Sequence, residues 1–232
     1  MKIYGHRGNM GHFPQNTLLS FEKAIEQGAH GIELDVHLSK DGEVVVIHDE
    51  SLERTTNGTG FVKDFTLIEL KQLDAGHGQT IPTLKEVYSF LRSTEAELNI
   101  ELKTHIFNYE GIEEKVLSIT KAHSEGRKVV YSSFHLPTIL RIKALDASAN
   151  IAWLLHNTLL SHPAQYIQAL GLEALHLEKD MLLSNPEHYK DVYEKLRIWT
   201  VNNAQDVTTL LQLGVGAIIS DFPGEMLKTC EF

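Results

Sequence analysis

The chain has 232 residues, 42% of them apolar and 22% charged, which is ample material for one core and suits either one barrel or two small domains. Its net charge of −10 disfavours non-specific binding to nucleic acid or to an anionic membrane, while leaving room for a local cationic pocket around one phosphate. The single cysteine, Cys230, excludes an intramolecular disulfide and argues against a thiolate metal site.

The chain opens on Met1-Lys-Ile-Tyr-Gly-His-Arg-Gly8, without an apolar signal core, and no stretch approaches the roughly 18 apolar residues that span a bilayer. A soluble, cytoplasmic protein without stable membrane insertion is expected. Lys2–Gly5 is the first candidate strand. Thr17–Gln27 follows, with Leu18, Phe21, Ala24 and Ile25 on one face, the period of a surface helix. Gly31–Leu38 is the second strand. The order then breaks: Val44–Ile47 is a short β run reached through the turn Lys40-Asp41-Gly42, and Thr66–Leu73 and Thr83–Leu91 read as helices. A connection this long exceeds a plain barrel loop, so residues 39–96, to within a few positions, are expected to form an insertion at the catalytic end.

Beyond it, strands at Leu98–Leu102, Lys128–Ser132, Ile151–Leu155, Ala174–Leu177, Ile198–Val201 and Ala217–Ser220 alternate with helices at Ile112–Ala122, Leu136–Leu145, Ala164–Leu170, Pro186–Leu196, Ala204–Leu213 and Gly224–Thr229. Roughly eight strands alternating with helices is the pattern of an α/β (β/α)8 TIM barrel, with a doubly wound open sheet as the structural alternative. No Gly-x-Gly-x-x-Gly follows a candidate strand, so a dinucleotide site has no support. Nothing marks a second unit, and one domain over residues 1–232 is expected.

Four clusters could carry chemistry, each placed where a barrel strand ends. His6-Arg7-Gly8 follows the first strand. In Gly31-Ile-Glu-Leu-Asp-Val36, the strand period puts Glu33 and Asp35 on one face and Ile32, Leu34 and Val36 on the other. If the apolar side faces the helices, both carboxylates point inward, where like charges are costly to bury unless a cation joins them. The bland alternative is a solvated edge strand. His48 closes the apolar run Val44–Ile47, and Asn99-Ile-Glu-Leu-Lys103 places Glu101 and Lys103 on one strand face; a loop histidine and a structural ion pair are the bland readings. Together, Glu33, Asp35 and Glu101 offer an oxygen shell for calcium or magnesium. Arg7 and Lys103 can neutralise phosphate oxygens, and His6 and His48 suit proton transfer. That inventory matches phosphodiester cleavage.

Gly5-His-Arg-Gly8, Pro14-Gln-Asn-Thr17, Gly31-Ile-Glu-Leu-Asp-Val36, Lys40-Asp-Gly42, Ile47-His-Asp49, Leu52-x-Arg54-Thr-Thr-Asn-Gly58, Asn99-Ile-Glu-Leu-Lys103, Ser132-Ser-Phe134, Trp199-Thr-Val-Asn202 and Ala217-Ile-Ile-Ser-Asp-Phe-Pro223 occur in an order that resembles the glycerophosphodiester phosphodiesterases over essentially the whole chain. The resemblance implies a barrel with a small insertion after strand two. It implies hydrolysis of small-molecule glycerophosphodiesters to sn-glycerol 3-phosphate and an alcohol. It also implies metal binding by Glu33, Asp35 and Glu101, acid–base work by His6 and His48, phosphate binding by Arg7 and Lys103, and a pocket wall at Trp199. A lipid-directed, phospholipase D-like enzyme and a non-catalytic phosphometabolite-binding barrel are the competing expectations; no exposed aromatic cluster is evident in the sequence. One departure stands out: Gln15 occupies a position where the family pattern carries glutamate, keeping hydrogen-bonding capacity and losing the charge. The other histidines carry no assigned role. Among them His176, within a strand, is placed at the barrel mouth, and Trp153 is read as core or barrel lining.

Overall fold

The structure is a computed structural model that describes residues 1–230. In chain order it contains β1 (Lys2–His6), α1 (Leu18–Glu26), β2 (Gly31–Leu38), β3 (Val44–Val46), α2 (Leu67–Leu70), α3 (Leu84–Leu91), β4 (Glu97–Leu102), α4 (Ile112–His123), β5 (Val129–Ser133), α5 (Leu136–Leu145) and β6 (Asn150–Leu155). It continues with α6 (Pro163–Leu170), β7 (Ala174–Glu178), α7 (Lys179–Leu183), β8 (Leu196–Trp199), α8 (Ala204–Leu213), β9 (Ala217–Ser220) and α9 (Pro223–Thr229). Short 3₁₀ segments cover Val62–Asp64 and Pro186–Lys195.

Strand β1 pairs in parallel with β9 on one side and β2 on the other, and this double pairing closes the sheet. Eight parallel strands form a (β/α)8 barrel, so the open-sheet alternative is excluded. β3 lies outside the barrel, antiparallel to β2 with Val36 opposite Val46. The alternation of side chains explains the layering. Outward residues such as Ile32, Leu34, Ile100 and Ile198 pack under the helices in the main core. Inward residues fill the barrel in small sets, among them Val130, Ala152 and Ala174, and Tyr4, Ala217 and Ile219. At the end remote from the strand C-termini, Arg197 donates twice to Glu173, at 3.0 and 2.9 Å, and lies 5.1 Å from the Tyr4 ring centroid. Tyr4 and Lys2 both bond Glu97. Charge there is paired rather than left bare, as burial requires.

Between β2 and β4, Val45, Ile47, Leu52, Val62, Leu70 and Ile81 form a small core of their own. Its helices start where Thr-x-x-Glu signals stand: Thr66 with Glu69, and Thr83 with Glu86, each make reciprocal capping boxes. Caps of this kind contribute about 0.5–2 kcal/mol each. The helix expected over Thr66–Leu73 is a single turn, Leu67–Leu70. A larger departure concerns Pro186–Leu196. Its buried Tyr189 and Val192 are three residues apart, a spacing a 3₁₀ helix meets as well as an α-helix does, and the segment is 3₁₀. Leu196 belongs to β8, whose inward Arg197 and Trp199 set the register. The short α7 before it was not apparent from periodicity. Among the described residues no helix is long and apolar enough to cross a membrane.

Candidate active site

Strand β1 ends at His6, and the chain then turns with φ 50° at Arg7 and 86° at Gly8. Glycine is required at position 8 on two grounds: the positive φ, and the 2.4 Å approach that a Cβ would make to Ser20 Oγ. The turn sets Arg7 against β2. Its backbone N–H donates to Glu33 Oε2 at 3.1 Å, and its Nε stands 3.3 Å from Asp35 Oδ2 as an ion pair without hydrogen-bond alignment.

Glu33 and Asp35 share the inward face of β2, and the β2–β4 register sets Asp35 opposite Glu101. One oxygen from each of the three carboxylates lies within 4.8 Å of the others, and all three residues are buried. Burial pushes the Glu33 carboxyl well above the ordinary range, and the charges of Asp35 and Glu101 act in the same direction. Burial also raises Glu101 against the pull of Lys103. At Asp35 burial is outweighed by Arg7 and Lys103, which hold its carboxyl low. Asp35 Oδ1 is nevertheless buried without a hydrogen-bond partner. A buried all-oxygen set with an orphaned acceptor and two carboxyls that resist ionisation fits a hard divalent cation.

Lys103 Nζ donates to Glu101 Oε1 at 2.9 Å, and lies 3.8 Å from Asp35 Oδ1 and 3.2 Å from His48 Nε2. Burial would discharge it, but Glu101 and Asp35 outweigh burial and keep it an ammonium. His48 stands where the outlying β3 segment returns toward the barrel. His37 on β2 donates from Nε2 to the His48 carbonyl at 3.0 Å, while its Nδ1 meets Tyr109 Oη, also at 3.0 Å.

Each active-site histidine has a carboxylate at Nδ1. Asp49 Oδ1 lies 2.5 Å from His48 Nδ1, and Asp221 Oδ1 lies 2.6 Å from His6 Nδ1. Asp49 is gripped by Arg54 through Nε at 2.6 Å and Nη2 at 2.7 Å, and that hydrogen bonding draws its carboxyl down to about 2. Asp221 accepts from Asn202 Nδ2 at 2.6 Å. Burial lowers the proton affinity of both histidines; Asp221 counters it at His6, and Asp35 and Asp49 counter it at His48. Gln15 Oε1 accepts from Arg7 Nη1 at 2.7 Å and Arg54 Nη2 at 3.2 Å, which links the two histidine-bearing segments.

His6, Arg7, Glu33, His48, Glu101 and Trp199 all line one cavity of about 180 Å³. Asp35 and Lys103 adjoin it through their contacts with the lining residues Arg7 and Glu101. The eight residues singled out in the sequence therefore come together. Trp199 meets Phe134 edge-on, with centroids 5.7 Å apart. Sequence reasoning gave no role to Asp49, Asp221, Asn99, Ser132 or Phe134, although each lies within a motif segment noted there. It also placed His176 at the mouth, whereas the ring is fully buried at the deep end of the cavity, because its strand position lies below the mouth-facing Glu178. Trp153 alternates outward and packs beside Tyr166.

A family model described as the glycerophosphoryl diester phosphodiesterase family matches residues 6–225. A glycerophosphodiester phosphodiesterase of Caldanaerobacter subterraneus subsp. tengcongensis is 40% identical over 97% of this chain and 96% of its own length. One from Bacillus altitudinis is 37% identical over 99% and 98%. Among solved structures, an Oleispira antarctica phosphodiesterase in complex with the product sn-glycerol-3-phosphate superposes with a TM-score of 0.90 at 30% identity, covering 100% of this chain and 97% of that one.

Proposed function

The chain belongs to the glycerophosphoryl diester phosphodiesterase family, and from that premise we propose that it hydrolyses glycerophosphodiesters to sn-glycerol 3-phosphate and an alcohol. The observation that carries the reading is the pair of carboxylate-held histidines, His6 and His48, at a cavity lined by Arg7, Glu33 and Glu101 and adjoined by Asp35 and Lys103. On this reading the chain acts as one unit, with residues 39–96 as an insertion that delivers His48.

Glu33, Asp35 and Glu101 would hold a divalent cation, calcium or magnesium, which when bound offsets negative charge on the phosphate. Arg7 presents a guanidinium fork to phosphate oxygens and Lys103 a point charge. Trp199 and Phe134 provide an aromatic wall for the glycerol or the alcohol.

The hydrogen bonding of His48 fits the general base. The Lys103 ammonium donates to its Nε2, so that nitrogen carries no proton, and the ring proton sits on Nδ1 toward Asp49. Once substrate phosphate draws on Lys103, Nε2 is free to take a proton from the nucleophile. His6, whose proton affinity Asp221 supports, then protonates the leaving alkoxide from Nε2. Short reactions in labelled water identify the nucleophile: a cyclic phosphate points to the neighbouring glycerol hydroxyl, and label in the first-formed product points to water.

The decisive assay is release of glycerol 3-phosphate from glycerophosphocholine after chelation, then with calcium or magnesium restored, beside His48→Ala. Metal-restored turnover that disappears in the variant supports the reading. A folded, metal-supplied protein inactive on every soluble diester sinks it. One surface feature favours a second reading, a lipid-directed enzyme: Phe61, exposed at 47%, meets Phe107 at 5.2 Å beside exposed Ile106. Faster cleavage of a lysophospholipid than of its soluble headgroup diester would favour it.

A further inference from the structure

We propose that the floor of the active-site cavity is a hydroxyl-reading subsite in which His176 selects the glycerol portion of the substrate. The inference rests on the phosphodiesterase reading above and names what that site recognises.

His176 points into the barrel from β7, between Leu154 on β6 and Arg197 on β8 in the sheet register. It is 0% exposed, and neither ring nitrogen has a hydrogen-bond partner. Two further unpartnered buried atoms line the same cavity. Asn99 donates its Nδ2 to Ser132 Oγ at 3.0 Å, which leaves its Oδ1 free, and Trp199 Nε1 has no acceptor. Buried polar groups are nearly always satisfied, so several orphans around one space indicate a missing polar occupant. Packing alone would be served by aliphatic residues, as at neighbouring Leu154 and Ile219.

The chemistry of the floor differs from that of the upper site. Arg7 and Lys103 supply the charge a phosphate needs. The floor offers a neutral imidazole with one donor and one acceptor and an amide oxygen, and the indole N–H of Trp199 stands above them at the level of Glu178. Burial, with Arg197 nearby, keeps the ring uncharged. A hydroxyl both donates and accepts, and so answers such a ring; an anion or an acyl chain does not. The cavity of about 180 Å³ corresponds to roughly six waters at ~30 Å³ each, room for a three-carbon polyol phosphate.

The test compares kcat/KM for wild type, His176→Leu and His176→Gln. The substrates are glycerophosphocholine and the matching diester of propane-1,2-diol esterified at its primary oxygen, which keeps the hydroxyl next to the phosphate and lacks only the terminal one. Wild type is expected to prefer the glycerol diester by about tenfold or more, since a site built to bond a hydroxyl rejects the analogue without it. His176→Leu is expected to bring that ratio near one, and His176→Gln, which retains a donor and an acceptor, to restore much of it. A purely structural ring would leave the ratio unmoved. Thermal denaturation of His176→Leu is expected to show an unchanged or raised midpoint, because an unsatisfied polar group has been removed. A wild-type ratio near one, or a ratio unchanged in His176→Leu, overturns the proposal. If wild type hydrolyses neither diester, the phosphodiesterase reading itself has failed. The subsite is then read by calorimetry with sn-glycerol 3-phosphate and 2-hydroxypropyl phosphate, where equal wild-type affinities overturn it.

Discussion

Asp221 Oδ1 stands 2.6 Å from His6 Nδ1 although 215 positions of sequence separate the two residues. The contact exists because β9 and β1 are neighbours in the barrel and both end at the same mouth. Asp221 fixes the tautomer of His6 and raises its proton affinity against burial. Asp221→Asn keeps the shape and loses the charge. It is expected to reduce kcat by about 10²-fold or more, with a smaller change in KM. With His6 acting as the acid, its proton is needed for turnover, so the alkaline limb of the pH–rate profile should move to lower pH. An unmoved limb would remove His6 from that role.

Gln15 bridges Arg7 and Arg54 through one oxygen. Gln15→Ala removes the acceptor that aims both guanidiniums, that of Arg7 at the cavity and that of Arg54 at Asp49. The expected result is a KM raised about tenfold with a lesser effect on kcat. Gln15→Glu keeps the acceptor and should retain most activity. Steady-state kinetics on both variants separates the two contributions, and an inert Gln15→Ala would make the bridge incidental.

Metal removal should expose the strain of the triad. The Glu33 carboxyl is raised above its ordinary value of 4.5, chiefly by burial, so the folded state binds more protons there than the unfolded state does. Its contribution to stability is present below about 4.5 and is lost as pH rises toward the folded value. Chelated protein should therefore lose part of its thermal midpoint as pH rises from about 4.5 toward the folded value, and level off beyond it. Calcium or magnesium at about 100 times its dissociation constant should restore about 2.7 kcal/mol. Glu33→Gln should raise the chelated midpoint at neutral pH by about 2–4 °C per kcal/mol gained and abolish the response to metal. A variant that still responds fully would exclude Glu33 as a ligand.

His37 gives a signal of the opposite sign. Burial lowers its proton affinity from 6.5 to about 4, so its stabilising contribution is complete above 6.5 and is lost as pH falls toward 4. His37→Leu should flatten that acid loss in urea titrations run at pH 7 and pH 5. At neutral pH it should cost about 1–3 kcal/mol by leaving the His48 carbonyl without its donor. An unchanged acid slope would assign the loss to other groups.

Much of this architecture was legible because barrel strands obey simple periods. The two-residue repeat placed Glu33 with Asp35 and Glu101 with Lys103, and strand–helix alternation gave the fold class. The periods do not report which strands meet, so the choice between open sheet and barrel waited on the β1–β9 and β1–β2 pairings. For the same reason Asp221 had no role: its partner lies at the other end of the chain. Asp49 was adjacent to His48, yet adjacency does not say which way a side chain turns. The depth of His176 was hidden because a strand's period gives the face and not the height within the barrel. The Pro186–Lys195 segment misled because apolar residues three apart suit two kinds of helix.

The position of β1 between β2 and β9 carries a consequence for the order of synthesis. Of the barrel strands, β1 leaves the ribosome first and can pair with β2 early, but its other edge stays bare until β9 arrives. Through that interval the nascent chain carries a sticky parallel edge, the kind of long-range pairing that folds slowly and invites wrong partners. His6 meanwhile has no Asp221. A polypeptide that stops short of β9 thus holds most of the candidate site's residues and lacks the His6–Asp221 pair, which forms only with ring closure.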